Sequence, residues 1–96
     1  MRILIAYDVS TTTPEGERRL RRVAQACVDF GQRVQKSVFE CSVTEAQLEQ
    51  LRRRLLAEIE PSLDSLRIYC LPENLQPARE VYGVSREIDF DGPLVL

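Results

Sequence analysis

Gly31-Gln32-Arg33-Val34-Gln35-Lys36-Ser37-Val38-Phe39-Glu40-Cys41 decides the fold. Val34, Val38, Phe39 and Cys41 are set among polar residues, and the β-branched content favours strand over helix. The stretch is too short for a helix with its caps. It reads as two short strands reversing near Lys36-Ser37, with one bent strand as the competing reading because no Asn-Gly or Gly-Gly marks the turn.

Working outward, the N-terminal side holds a helix and a strand. Thr13-Pro14 is a helix start, with Thr as N-cap and Pro in the first helical position. Glu15 and Glu17 complement the positive end of the helix dipole. Leu20, Val23, Ala24, Cys27 and Phe30 recur at helical spacing, and Gly31 is the expected stop. Before it, Ile3 to Tyr7 is a short apolar run without alternation, as expected of a strand buried on both faces at the centre of a sheet.

On the C-terminal side, Thr44 with Gln47 forms a capping box, and Val43 with Leu48 a hydrophobic staple. Leu48, Leu51, Leu55 and Ile59 make the buried stripe, Glu49 and Arg53 an i,i+4 pair, and Pro61 ends the helix. Leu66, Ile68 and Cys70 alternate with Arg67 and Tyr69, the mark of a strand. A further short strand is expected over Ala78–Tyr82, and Leu94-Val95-Leu96 closes an apolar tail.

The order is β-α-β-β-α-β plus a tail: an α+β, ferredoxin-like arrangement in a single domain spanning residues 1–96, with 78–96 as a strand or tail. Two helices cover one face of a four-stranded sheet. Strand 1 is apolar on both sides, so the uncovered face needs a partner. A second copy of the chain is the simplest, with the tail able to add a strand to that copy's sheet.

Composition narrows the chemistry. The 96 residues include no His, which removes imidazole acid–base catalysis, Ser-His-Asp and Cys-His nucleophile systems, and His-containing zinc sites. Cys27, Cys41 and Cys70 are odd in number and widely spaced, so buried free thiols are expected rather than disulfides or a thiolate metal site. With no Trp and 6% aromatic residues, extended stacking platforms for bases are not expected. No apolar run approaches the ~20 residues that span a bilayer, and the expected location is cytoplasmic. The formal net charge is −2, but residues 18–36 carry six cations against one anion. Residues 72–96 carry five anions against two cations.

Asp8 is the first candidate site residue. Alternation puts it on the Leu4–Ala6 face, at the carboxyl end of strand 1. If that face lacks helices, a twofold axis brings two Asp8 side chains together, and a hard cation such as Mg²⁺ or Mn²⁺ relieves their repulsion. That is a His-free route to metal-assisted phosphodiester chemistry. The competing reading is an Asp that caps its own Asp8-Val9-Ser10 turn. Arg18, Arg19, Arg21, Arg22 and Arg33 are candidate phosphate contacts, against the plainer reading of a solvated helix face. Arg52-Arg53-Arg54 is weaker because Glu49 and Glu58 partly neutralise it. Ser10, Thr11, Thr12 and Thr13 form a polar loop beside Asp8.

Ile5-Ala6-Tyr7-Asp8-Val9, then residues 31–41, then Arg67-Ile68-Tyr69, together resemble the CRISPR-associated protein two family over the whole chain. The resemblance implies a ferredoxin-like homodimer exchanging C-terminal strands. It implies that Asp8 is the metal-binding acid at the dimer cleft, with Tyr7, Arg33 and Phe39 in or beside the active region. A family basic position falls on Arg18 or Arg19. The implied activity is Mg²⁺-dependent endonucleolytic hydrolysis of RNA or duplex DNA in CRISPR spacer acquisition. The alternative is a non-catalytic scaffold that binds duplex DNA and docks the integrase subunit. A ferredoxin-like regulatory or ligand-sensing dimer is the third reading.

Overall fold

A computed structural model describes residues 1–72 together with Glu80, Tyr82 and Gly83. Its elements are β1 (Arg2–Asp8), α1 (Pro14–Phe30), β2 (Gly31–Gln35), β3 (Val38–Ser42), α2 (Glu45–Glu58) and β4 (Ser65–Leu71). Residues 31–41 are thus two strands with a turn at Lys36-Ser37, not one bent strand. The sheet is antiparallel, in the order β2-β3-β1-β4. Ala78, Arg79 and Val81 of the expected strand over Ala78–Tyr82, and the tail at Leu94–Leu96, lie outside the described residues.

β1 is central, as its apolar run implied. Ile5 faces Phe39 of β3 on one side and Ile68 of β4 on the other. Ile3, Ile5 and Tyr7 turn toward the helices, where Ile3, Ile5, Val23, Ala26, Cys27, Phe39, Leu51 and Leu55 have no exposed surface. Burying each large apolar side chain contributes ~1.5–3 kcal/mol. The opposite face of β1 carries Arg2, Leu4, Ala6 and Asp8, and no described helix packs on it.

The helix ends follow the local signals. Thr13 Oγ1 accepts from the Gly16 amide at 3.1 Å. The Thr44–Gln47 capping box is complete, with bonds of 2.9 and 3.1 Å, and both Val43 and Leu48 of the staple are buried. Arg53 pairs with Glu49 at 3.2 Å, as the spacing required. The two helices are tied by Arg54–Asp29 at 2.7 Å and Arg22–Glu58 at 3.7 Å.

Gly31 does end α1, but not through a left-handed cap. Its backbone is extended, at φ −164° and ψ −155°, and runs straight into β2. Glycine is required there by close approach: a Cβ would overlap the Cys41 sulfur and the Glu40 carbonyl oxygen. The cysteines need one correction. Cys27 and Cys41 are buried, but Cys70 is exposed, because it lies near the end of β4, an edge strand of the described sheet.

Two predictions follow from this packing. Gly31→Ala must displace the Glu40–Cys41 backbone as well as the buried Cys41 sulfur, and should destabilise the fold by about 1–3 kcal/mol in urea denaturation. Burial pushes the Cys27 thiol up to about 12 and the Cys41 thiol up to about 11. Titration of the native protein with a thiol reagent at pH 8 should therefore modify Cys70 first, and all three cysteines only after unfolding.

Candidate functional site

The carboxyl end of β1 gathers four segments: Asp8 itself, the Lys36-Ser37 turn, the loop leading into α1, and the α2–β4 loop. The Tyr7 amide donates to the Ser37 carbonyl at 3.1 Å, which brings the β2–β3 turn alongside. Asp8 pairs in register with Ser65 of β4. Its carboxylate is exposed on the open face, and among the described residues it takes no hydrogen bond or ion pair.

The turn-capping role that an Asp at position 8 was open to is filled by a different carboxylate. Asp64 Oδ1 accepts from the Ser10 amide at 3.0 Å. Asp64 Oδ2 accepts from the Glu60 amide at 2.8 Å and from Arg19 Nε at 2.9 Å, and an Arg19 terminal nitrogen reaches Oδ1 at 3.3 Å. The Asp64 side chain has no exposed surface. The Arg19 guanidinium and the two backbone amides hold its carboxyl below the usual carboxylate range, overcoming the opposing effect of burial.

Tyr7, Arg33 and Phe39 form a second cluster, on the helix-covered side of the sheet. Arg33 is opposite Phe39 in the β2–β3 register, with its guanidinium 5.1 Å from the ring centroid. The Tyr7 and Phe39 rings are 6.2 Å apart and nearly parallel. Phe39 is fully buried, Tyr7 is 5% exposed and Arg33 is exposed. Burial raises the Tyr7 phenol above its ordinary value, with Arg33 opposing it. Within one chain, Asp8 and this cluster therefore lie on opposite faces of the sheet. Tyr7 connects them as the residue before Asp8.

The basic residues divide by partner. Arg19 turns inward to Asp64 and is 18% exposed, so the phosphate role expected of it meets a guanidinium already held by a carboxylate. Arg22 reaches Glu58 across the helix pair. Arg18 and Arg21 are exposed, with no ion pair among the described residues. Arg52 and Arg53 both bind Glu49. In the polar loop, Ser10 Oγ and Thr12 Oγ1 are 3.3 Å apart and Thr13 caps α1.

Sequence reasoning missed Asp64, which resembles an ordinary turn residue and whose Arg19 partner is 45 positions away. It also passed over Arg67 and Tyr69. Their alternation in β4 was visible, but only the pairing with Ala6 and Leu4 places them on Asp8's face. Arg67 donates to the Tyr69 hydroxyl at 3.2 Å.

Among the described residues, no group of three Asp, Glu, Cys or His side chains surrounds a possible ion position. Asp8 is nonetheless a suitable single ligand for a hard cation, being an exposed carboxylate beside hydroxyl-bearing residues. Among the described residues no helix is long and apolar enough to cross a membrane.

A four-stranded antiparallel sheet in the order β2-β3-β1-β4 with both helices on one face places this chain in the ferredoxin-like α+β class. More specifically, the chain belongs to the Cas2 family: the family model described as CRISPR associated protein Cas2 matches residues 1–76. A CRISPR-associated endoribonuclease Cas2 of Moorella thermoacetica is 65% identical over 96 residues, covering all of both chains. A CRISPR-associated endonuclease Cas2 of Halalkalibacterium halodurans is 47% identical over 95 residues, covering 99% of each. The crystal structure of Streptococcus pyogenes Cas2 at pH 6.5 superposes with a TM-score of 0.77 at 52% identity, covering 86% of this chain and 100% of that one.

The Asp64 anchor has a pH signature. A carboxyl depressed in the folded state contributes fully above its unfolded pKa of about 3.9, and the contribution is lost as pH falls through the lower folded value. Asp64→Asn should therefore cost more stability at pH 7 than at pH 2.5, and flatten the acid limb of a plot of denaturation midpoint against pH. The loss at pH 7 should be about 2–4 kcal/mol, since a buried acceptor of several bonds is removed.

Proposed function

We infer that this chain is a metal-dependent endonuclease subunit of CRISPR spacer acquisition, cleaving RNA or duplex DNA as a homodimer. One observation carries the reading: Asp8 is exposed and unpartnered among the described residues, at the end of the central strand and on the face without helices. The names of the similar proteins, endoribonuclease and endonuclease, agree with this reading.

The open face carries half-buried Leu4 and Ala6. Pairing two such faces about a twofold axis removes apolar surface from water and sets one Asp8 against the other. The two carboxylates would hold Mg²⁺ or Mn²⁺, and the ion would supply Lewis-acid stabilisation of charge on the phosphate. Arg18 and Arg21 have the exposure needed to position a phosphodiester backbone. Arg33, braced on Phe39, is a further cation for the same polymer.

A scaffold reading is favoured by the single carboxylate per chain at this site and by the absence of a three-ligand group among the described residues. In that reading the dimer binds duplex DNA and docks the integrase subunit, and Asp8 is dispensable.

Cleavage of single-stranded RNA and duplex DNA with and without Mg²⁺ separates the two. Asp8→Asn should lower metal-dependent cleavage at least ~100-fold while the protein stays folded and dimeric by sedimentation. Equal cleavage by both proteins would remove Asp8 from the mechanism. Normal spacer integration by Asp8→Ala would favour the scaffold.

A further inference from the structure

Asp8 stands between two buried neighbours, Tyr7 and Val9, and two residues before a backbone held from two directions. On one side, the Ser10 amide donates to Asp64, whose carboxylate is in turn fixed by Arg19 of α1 and the Glu60 amide. On the other side, the first turn of α1 presses on the Ser10 carbonyl. Gly16 is buried, and a Cβ there would overlap the Ser10 carbonyl oxygen and lie 3.0 Å from its carbon. Ser10 is therefore held at its N–H by Asp64 and closely approached at its C=O by the first turn of α1, which leaves no room there for a side chain at position 16.

We propose that Asp64 is a positioning residue for the Asp8 carboxylate, holding the end of β1 and the loop beyond it against the first turn of α1. The inference rests on the reading of Asp8 as the metal-binding acid. A buried, fully engaged carboxylate is an expensive device for closing a surface turn, since an unpaired charge there is strongly unfavourable. Its four contacts join its own α2–β4 loop to the loop after β1 and to α1, which meet beside Asp8. Two Asp8 side chains sharing one ion across a symmetry axis tolerate little displacement, and small errors in the geometry of reacting groups are large in rate. Asp8, without a partner among the described residues, and Ser10, held by Asp64, thus form one unit, in which one carboxylate is left for chemistry because another holds the backbone.

The test compares Asp64→Asn with Asp8→Asn and with Leu51→Ala, a core truncation of α2 remote from Ser10. All are assayed as full-length protein at a temperature where each is folded. Asp64→Asn should lower kcat for RNA cleavage at saturating Mg²⁺ about tenfold or more, with KM for RNA within about twofold of wild type. It should also speed amide exchange at Ser10 at least about tenfold, with β1 core amides slowed or accelerated only as in Leu51→Ala. Gly16→Ala displaces Ser10 without touching Asp64 and should give the same kcat loss. It decides the matter if Asp64→Asn does not fold. A wild-type kcat in Asp64→Asn or Gly16→Ala while Asp8→Asn is inactive would overturn the proposal, as would unchanged exchange at Ser10. If Asp8→Asn cleaves like wild type, the reading of Asp8 fails instead, and exchange at Ser10 alone judges the clamp.

Discussion

Period-two alternation along β1, held at the centre of the sheet by pairing on both edges, is the constraint on which the molecule depends. Ile3, Ile5 and Tyr7 must point to the helices because that is where apolar surface leaves water. Leu4, Ala6 and Asp8 then have no choice but the other face. A slip of one residue in the β1–β3 register would exchange the two sets, exposing two isoleucines and burying an unpaired carboxylate. The cost of that exchange fixes Asp8 on the open face as firmly as any direct contact.

Two acids close together in space have divided the work between them. Asp64 is withdrawn from water and saturated with donors, so it serves as a structural anchor. Asp8 faces solvent without a partner among the described residues, so its lone pairs remain available. The same division runs through the arginines. Arg19 completes the anchor and Arg22 and Arg54 join the helices, while Arg18 and Arg21 stay in solvent. Local positive charge in the sequence therefore overstates the cations available to a polyanion.

Much of the fold was legible before any coordinates. The Thr13-Pro14 start, the Thr44–Gln47 box and the leucine stripe of α2 are local signals, satisfied within a few residues, and they survive into the structure. The β2–β3 reversal was less clear, because Lys36-Ser37 lacks the glycine or asparagine that usually marks a tight turn. Gly31 was read correctly as a stop for the wrong local reason: its small size is demanded by Cys41, ten residues on in a paired strand. Cys70 followed the apolar alternation of β4 but not its burial, because alternation states which face a residue takes and not whether anything covers it.

The candidate site shows the same boundary. Alternation alone put Asp8 on the face of Leu4 and Ala6, but which face of β1 the two helices cover was decided only by the structure. The Tyr7, Arg33 and Phe39 grouping was implied by resemblance, and its placement on the face opposite Asp8 came from strand register. Asp64 was decided only by the tertiary structure. Its partners come from the loop after β1, from α1 and from Glu60 in its own loop, and its sequence neighbours do not distinguish it from a turn aspartate. Local propensity and periodicity are written in neighbouring residues, but a buried charge whose donors include an amide 54 positions away and a guanidinium 45 positions away exists only once the chain has closed.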